Sequence, residues 1–328
     1  MDIVEFTVED THTIEAVVEL ANAARKVDSP FSHPQTVSGY TGTMRYGWDG
    51  ETPTTFAAWE SGSLAGLVEF HTSEWDNTHL AWVVFVVHPD LRRRGHGSRL
   101  LEFAKEQTRS LGRTSIGCDG WDNDTTNGFA TASRLPRKGS AINRRQVLAS
   151  VNRQALETMY DEAAAAASSY ELIRIAGHTP EDMLDAVARL TEAINDAPTD
   201  DLDIEHEVFP KERIVAYENA QEARGNRLYR IIARHRDSGE LAGHSVVAVE
   251  GERPAIGDQH DTSVLRAHRG HRLGLLLKAD MLRWLAECEP GLETIDTWNA
   301  ESNDHMIEVN EKLGYQVLAR ELQFQINV

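Results

Sequence analysis

Arg92-Arg93-Arg94-Gly95-His96-Gly97 (RRRGHG) and Arg269-Gly270-His271-Arg272-Leu273-Gly274 (RGHRLG) are the two stretches on which the fold turns. The first follows the β-branched run Trp82 to Val87 (WVVFVV) and the turn His88-Pro89-Asp90-Leu91. The second follows Thr262-Ser263-Val264-Leu265 and Arg266-Ala267-His268. Apolar residues at helical spacing come after each, so strand, basic turn and helix start occur twice. A helix start leaves backbone N–H groups unpaired, and glycines let a ligand come close to the chain, an arrangement suited to a pyrophosphate. Arginines add charge and hydrogen-bond donors.

Working outward, the first copy begins with a strand at Ile3 to Val8 and a helix at Thr11 to Lys26. A loop with a short helix covers Ser29 to Thr55, and Thr54 to Trp59 with Leu64 to Thr72 form a hairpin. Then come a strand at Leu80 to Val87, a helix from Gly97 to Leu111 and a strand at Thr114 to Cys118. The second copy repeats the order: a strand at Tyr170 to Ile175, then a helix at Pro180 to Asn195 with Thr179 expected as its N-cap. An acidic loop, Pro198 to Glu207, precedes a helix at Lys211 to Ala223. Strands at Leu228 to Arg234 and Leu241 to Val249 follow, then a helix at Leu273 to Cys288, a strand at Glu293 to Thr297, a helix at Asn303 to Leu313 and two closing strands. The run Ala163 to Ala167 marks a linking helix between the copies. The expected division is 1–150, a linker at 151–169, and 170–328, two mixed α/β domains.

At 328 residues with 41% hydrophobic content, two cores are the default. No apolar span reaches membrane length and the acidic N-terminus has no signal core, so a cytoplasmic protein without membrane contact is expected. Asp and Glu outnumber Lys and Arg by 52 to 33, a formal charge of −19 that disfavours nucleic acid and suits a cationic substrate. Cys118 and Cys288, one per copy, form no disulfide framework, and the histidines lack metal-ligand spacing, so no metal is expected.

The turns match neither G-x-G-x-x-G nor G-x-x-x-x-G-K-[ST]. The first resembles the R-x-x-G-x-G/A turn of the GNAT superfamily of acetyl-CoA-dependent N-acetyltransferases, filled by Arg92, Gly95 and Gly97. The second matches at Arg269 and Gly274, with Arg272 in place of the first glycine. Thr297 to Asn303 followed by Val309 to Tyr315 resembles the family's strand, helix and L-G-F/Y segment. The resemblance implies two tandem GNAT folds, each a mostly antiparallel, splayed sheet with helices on both faces. In arrangement it is similar to the two-domain mycothiol synthases, whose C-terminal domain is the active one.

The same resemblance implies acetyl-CoA held by Arg92, Arg93, Arg94, Gly95, His96 and Gly97 in one copy and by Arg269, Gly270, His271, Arg272, Leu273 and Gly274 in the other. The backbone N–H groups of Val87 and Val264 would polarise the thioester carbonyl. Asn303 and Asn310 are candidate contacts to the cofactor arm or local caps. The tyrosine that many relatives use as acid is replaced by Asn310, and by Ala130 in the first copy. The strand before Val264 carries His260 and Asp261, either one a candidate base for a small-molecule amine, with strand alternation expected to turn only one towards a cleft. Chemistry is expected in the C-terminal copy. A catalytically decayed CoA-binding regulatory or scaffold protein, or catalysis in the first copy with its cleaner turn, are the alternatives.

Overall fold

The computed structural model describes residues 1–328. In chain order its elements are β1 (Asp2–Phe6), α1 (Thr11–Asp28), α2 (Val37–Tyr46), β2 (Thr54–Glu60), β3 (Ser63–His71), β4 (Leu80–Val87), α3 (His96–Ser110), β5 (Ser115–Trp121) and α4 (Asp124–Ser133). Next come β6 (Arg137–Val147), α5 (Arg153–Ala166), β7 (Tyr170–Ala176), α6 (Leu184–Thr191), α7 (Lys211–Ala223), β8 (Arg227–His235), β9 (Leu241–Val249) and β10 (Ile256–Val264). The chain ends with α8 (Leu273–Cys288), β11 (Thr294–Ala300), α9 (Asp304–Lys312) and β12 (Gln316–Asn327).

Two compact units result, and they do not follow chain order. The first gathers Met1–Ala141, Thr199–His206 and Ala319–Val328; the second holds Ile142–Pro198 and Glu207–Leu318. The first sheet runs β1-β2-β3-β4-β5-β12, with the last strand of the chain paired antiparallel to β5 from Glu321↔Trp121 to Asn327↔Ser115. The second runs β6-β11-β10-β9-β8-β7.

In both sheets one junction is parallel and short. β4 pairs with β5 only from Leu80↔Ser115 to Trp82↔Gly117, although β4 continues to Val87. β10 pairs with β11 only from Ile256↔Thr294 to Asp258↔Asp296, and continues to Val264. Beyond those rungs the strands part, leaving a wedge in the middle of each sheet. Apolar layers cover the faces: in the second unit Leu273, Leu277, Met281 and Leu285 of α8 bury against Ile231, Val247 and Ile295. Helix α5, expected as a linker, buries Leu156 and Ala163 in that same core, and Asn152 caps it by accepting from the Ala155 N–H.

Three expectations are corrected. The segment from Pro180 is not one helix: a 3-10 turn spans Glu181–Met183, α6 begins at Leu184 and a second 3-10 turn follows. Thr179 caps nothing there, because its N–H and hydroxyl both donate to the buried carboxylate of Glu218, at 2.9 and 2.6 Å. The two closing strands are one, β12. Strand β6 has no counterpart in the sequence reading, because polar bonds rather than apolar alternation hold it. In the second unit Asn143 donates to Thr297 O, Arg145 binds Asp296 through both nitrogens at 2.6 and 2.7 Å, and Gln146 donates to Leu313 O. Cys118 is buried and Cys288 exposed, both as free thiols.

The first wedge tolerates no side chain at Gly117, where a Cβ would lie 2.2 Å from the Trp82 ring. Gly117→Ala should cost about 1–3 kcal/mol by overpacking. Denaturant unfolding of the variant measures it.

Candidate functional site

Each wedge ends on a guanidinium. Arg92 Nε donates to Val87 O at 3.2 Å while its two terminal nitrogens grip the Asp28 carboxylate at the end of α1. In the second unit Arg269 Nε donates to Val264 O at 3.1 Å and Nη2 to Asp196 at 2.6 Å, with Arg266 on the other oxygen. The leading arginines are therefore fasteners between strand end and carboxylate. The neighbouring amides complete the picture: His88 N donates to Ala65 O and Leu265 N to Ala242 O, both towards the paired strand. Successive residues alternate, so the N–H of Val87 and of Val264 points the other way, into the wedge. With the adjoining carbonyl engaged by arginine, each strand end offers its wedge a donor.

The turns share one backbone path with the glycine moved. Left-handed positions fall at Arg93 (φ 63°) and Gly95 (φ 86°) in the first, and at Gly270 (φ 86°) and Arg272 (φ 56°) in the second. Glycine takes the later position in one and the earlier in the other, which explains why the second motif looks degraded while its geometry is kept. The first intrahelical bonds run from Arg99 N to Gly95 O and from Leu276 N to Arg272 O. That leaves the amides of His96, Gly97 and Ser98, and of Leu273, Gly274 and Leu275, without intrahelical acceptors, as an anion such as a diphosphate requires. The remaining turn side chains are dispersed: His96 turns inward to Glu60 at 3.1 Å, Arg94 donates to Asp90 O, Leu273 is core, His271 lies beside Tyr170 and Arg272 reaches Glu162.

Beside the turns the units differ. A Cβ on Gly97 would meet the Phe129 ring at 2.9 Å, and Phe129 itself packs edge-on against Phe85 of β4. Nothing lies within 4 Å of a Cβ built on Gly274. At the wedge throat, the last parallel rung pairs Trp82 with Gly117 in the first unit and Asp258 with Asp296 in the second. The Trp82 indole lies over Gly117 and donates to Asp119 at 2.9 Å.

The throat of the second unit is acidic. Asp296 is held by Arg145 and Glu250 by Arg253, each through paired bonds, whereas Asp258 makes no hydrogen bond or ion pair. Burial first, then the charges of Asp296 and Glu250, push the Asp258 carboxyl up to about 7. Above Asp258 the register with β9 slips between Gln259 and Asp261, so His260 is the extra residue of a β-bulge. The bulge interrupts strand alternation, and His260 and Asp261 both join one polar cluster rather than facing opposite ways. His260 Nδ1 is 2.6 Å from the Tyr217 hydroxyl of α7, and burial, with Arg224, lowers its imidazole to about 3. Asp261 accepts from His244 Nε2 at 2.6 Å, because Arg230 donates to Nδ1 at 2.9 Å and so fixes the tautomer. Arg230 in turn meets Glu218, the partner of Thr179.

Asn303 is a cap, accepting from Met306 N. Asn310 is wholly buried and donates to Asn299 Oδ1 at 2.7 Å. Asp258 stood outside the first choice of residues because a carboxylate near the start of a strand is ordinary in sequence. The signal lay in its being the one throat carboxylate that no arginine bonds, although Arg253, Arg145 and Arg224 act on it electrostatically.

The acetyltransferase (GNAT) family matches residues 15–131 and 190–315, and the chain belongs to that family. It is an acyltransferase of two tandem GNAT folds. Its fold is similar to that of a tandem GNAT protein from the clavulanic acid biosynthesis pathway, at 24% identity and TM-score 0.81, over 99% of this chain and 98% of that one. A GCN5-related N-acetyltransferase from Sphaerobacter thermophilus aligns at 15% identity and TM-score 0.69, over 99% and 95%. A GNAT-family acetyltransferase from Colwellia psychrerythraea aligns at 13% and 0.57, over 99% and 100%. No curated protein matches the chain. No helix is long and apolar enough to cross a membrane.

The moved glycine has a measurable cost, since Arg272 holds a left-handed φ that glycine adopts freely. Arg272→Gly should leave stability unchanged or raise it by up to about 1 kcal/mol, and Gly95→Ala should lower it by about 1 kcal/mol. Thermal unfolding of the two variants checks the pair.

Proposed function

We propose that the second unit transfers acetyl from acetyl-CoA to the primary amine of a small molecule by direct attack, with Asp258 taking the proton that the amine must shed. The observation that carries this is the unpaired Asp258 carboxyl at the mouth of a wedge whose flank at Gly274 is open. Bound acetyl-CoA supplies an acetyl thioester. The amides of Leu273, Gly274 and Leu275 would hold its diphosphate, and Val264 N–H would donate to the carbonyl oxygen, the atom on which charge develops.

A protonated amine approaching the throat meets Asp258, Asp296 and Glu250, of which two are already neutralised by arginine. The third attracts the cation and then accepts its proton, as a base with a value near neutrality does best. His260, held neutral and low, has little capacity for that task. Its place beside Tyr217, and that of Asp261 beside His244, instead fix the bulged course of β10 that presents Val264. The first unit, with Trp82 in the place of Asp258 and Phe129 against Gly97, serves binding and support.

Release of free coenzyme thiol across a panel of amines tests the assignment, and no release with any amine by a folded sample would sink it. Gly274→Trp should abolish acetyl-CoA binding in calorimetry, while Gly97→Trp should leave turnover intact.

The Asp258 carboxyl, at about 7, must be ionised to act, so the rate should rise with pH through about 7 and then level. Asp258→Asn should remove that limb and slow turnover by roughly 10²- to 10⁴-fold. Stability moves the opposite way. A carboxyl raised in the folded state binds its proton more tightly there than in the unfolded chain, so folding loses stability as pH rises from the ordinary carboxylate range through about 7. Asp258→Asn should therefore melt higher than wild type at pH above about 7, with the difference shrinking in acid.

A further inference from the structure

Beneath α9, on the strand that lies next to β11, a cation is buried without an anion. Arg144 is 4% exposed, and its Nε and Nη1 have no acceptor. Glu311 and Glu301 are near enough to act on the guanidinium electrostatically, yet neither bonds it, and burial holds it below its usual range. Two acceptors in the same layer are also unsatisfied: Gln146 Oε1, whose amide nitrogen donates to Leu313 O under the last turn of α9, and Asn310 Oδ1, one turn earlier. An unpaired buried charge is among the most costly features a fold can keep, and an apolar side chain of similar size would be more stable there. Such a group points to an anion that the protein itself does not provide.

Its position names the anion. Thr297 accepts from Asn143 and Asn299 from Asn310, so the stretch of β11 that forms one lip of the wedge is tied on one side to β6 and above to α9. Arg144 sits in that corner, across β11 from the lip that carries Val264. Taking the acetyl transfer proposed above as given, the transfer forms a C–N bond at the acyl carbon and breaks the C–S bond. The electron pair of that bond departs on sulfur, and the amine's proton goes to Asp258. No tyrosine stands at residue 310 to protonate the sulfur. We propose that Arg144 stabilises the negative charge on the coenzyme's departing sulfur, which then takes up, through solvent, the second proton that the nitrogen sheds as the amide forms. The guanidinium keeps its own proton throughout. A guanidinium in that corner would act on a charge that develops only as the bond breaks, which favours the transition state over the bound thioester.

The test is the acidity of the thiol of free coenzyme A bound to the intact protein, read from thiolate absorbance in the ultraviolet as pH is raised. An ordinary thiol titrates near about 8.5, and a neighbouring cation lowers that by about 1 unit or more. Bound to wild type, the thiol should titrate at least about 1 unit below its value in free solution. Bound to Arg144→Met it should return to the free value, with coenzyme affinity nearly kept and a melting temperature equal to or above wild type. Arg144→Gln, able to bond Gln146 and Asn310, gives the same readout should the methionine variant not fold. A thiol that binds to wild type yet titrates as in free solution, or equally in wild type and variants, overturns the role of Arg144 and leaves the acetyl-transfer proposal standing. Coenzyme that does not bind at all overturns both.

Discussion

The wedge in each sheet exists because a guanidinium takes over where the ladder stops. When two parallel strands part, their facing carbonyls and amides lose each other, and in a protein interior that loss costs free energy unless the groups find other partners. Arg92 and Arg269 solve half of the problem by binding the last carbonyl of the strand and anchoring themselves on Asp28 and Asp196. The other half, the amide of the same residue, is left facing the opening. A strand end held in this way keeps its unpaired amide turned towards the wedge. The carboxylates come from elements early in each half, the end of α1 and the 3-10 turn after α6. Sequence distance therefore hides the pairing completely.

Elements with strong local propensity were legible from residues alone. The strand Leu80–Val87 and the helices Lys211–Ala223 and Leu273–Cys288 have the expected bounds: a β-branched run marks the strand, and good helix formers fill the helices. β6 was illegible, since its burial is of Asn143, Arg144 and Gln146, the first and last of them bonded to partners distant in the chain. The basic turns were recognisable as helix starts, but the bonds of Arg92 and Arg269 to a strand carbonyl and a distant carboxylate were not. His260 and Asp261 were visible as polar residues in a strand; their common environment was not, because a bulge leaves no mark in composition. Asp258 required knowing which of three throat carboxylates is bonded by no arginine.

The two halves differ by exchange more than by decay. Where one has Trp82 over Gly117, the other has Asp258 beside Asp296; where one has glycine at the later left-handed position, the other has it at the earlier. Each change is compensated locally: a large indole by an absent side chain, an added carboxylate by Arg145. The backbone frame persists while the throat passes from aromatic to acidic. Such frames separate the demands of folding from those of chemistry, so one can vary with little penalty to the other.

The last ten residues have a consequence for how the molecule is made. The first unit takes its sixth strand from Ala319–Val328, so its sheet has an open edge until that segment has been made. The second unit draws almost wholly on Ile142–Pro198 and Glu207–Leu318, a continuous stretch apart from one excursion, and all of it leaves the ribosome earlier. The usual vectorial order, amino-terminal domain first, is thereby reversed: the later-made half can close while the earlier one waits with β5 unpaired along the edge that β12 will occupy. An exposed strand edge invites pairing with other chains, a liability that the arrival of β12 removes. For the same reason no single cut in the chain can yield two whole domains.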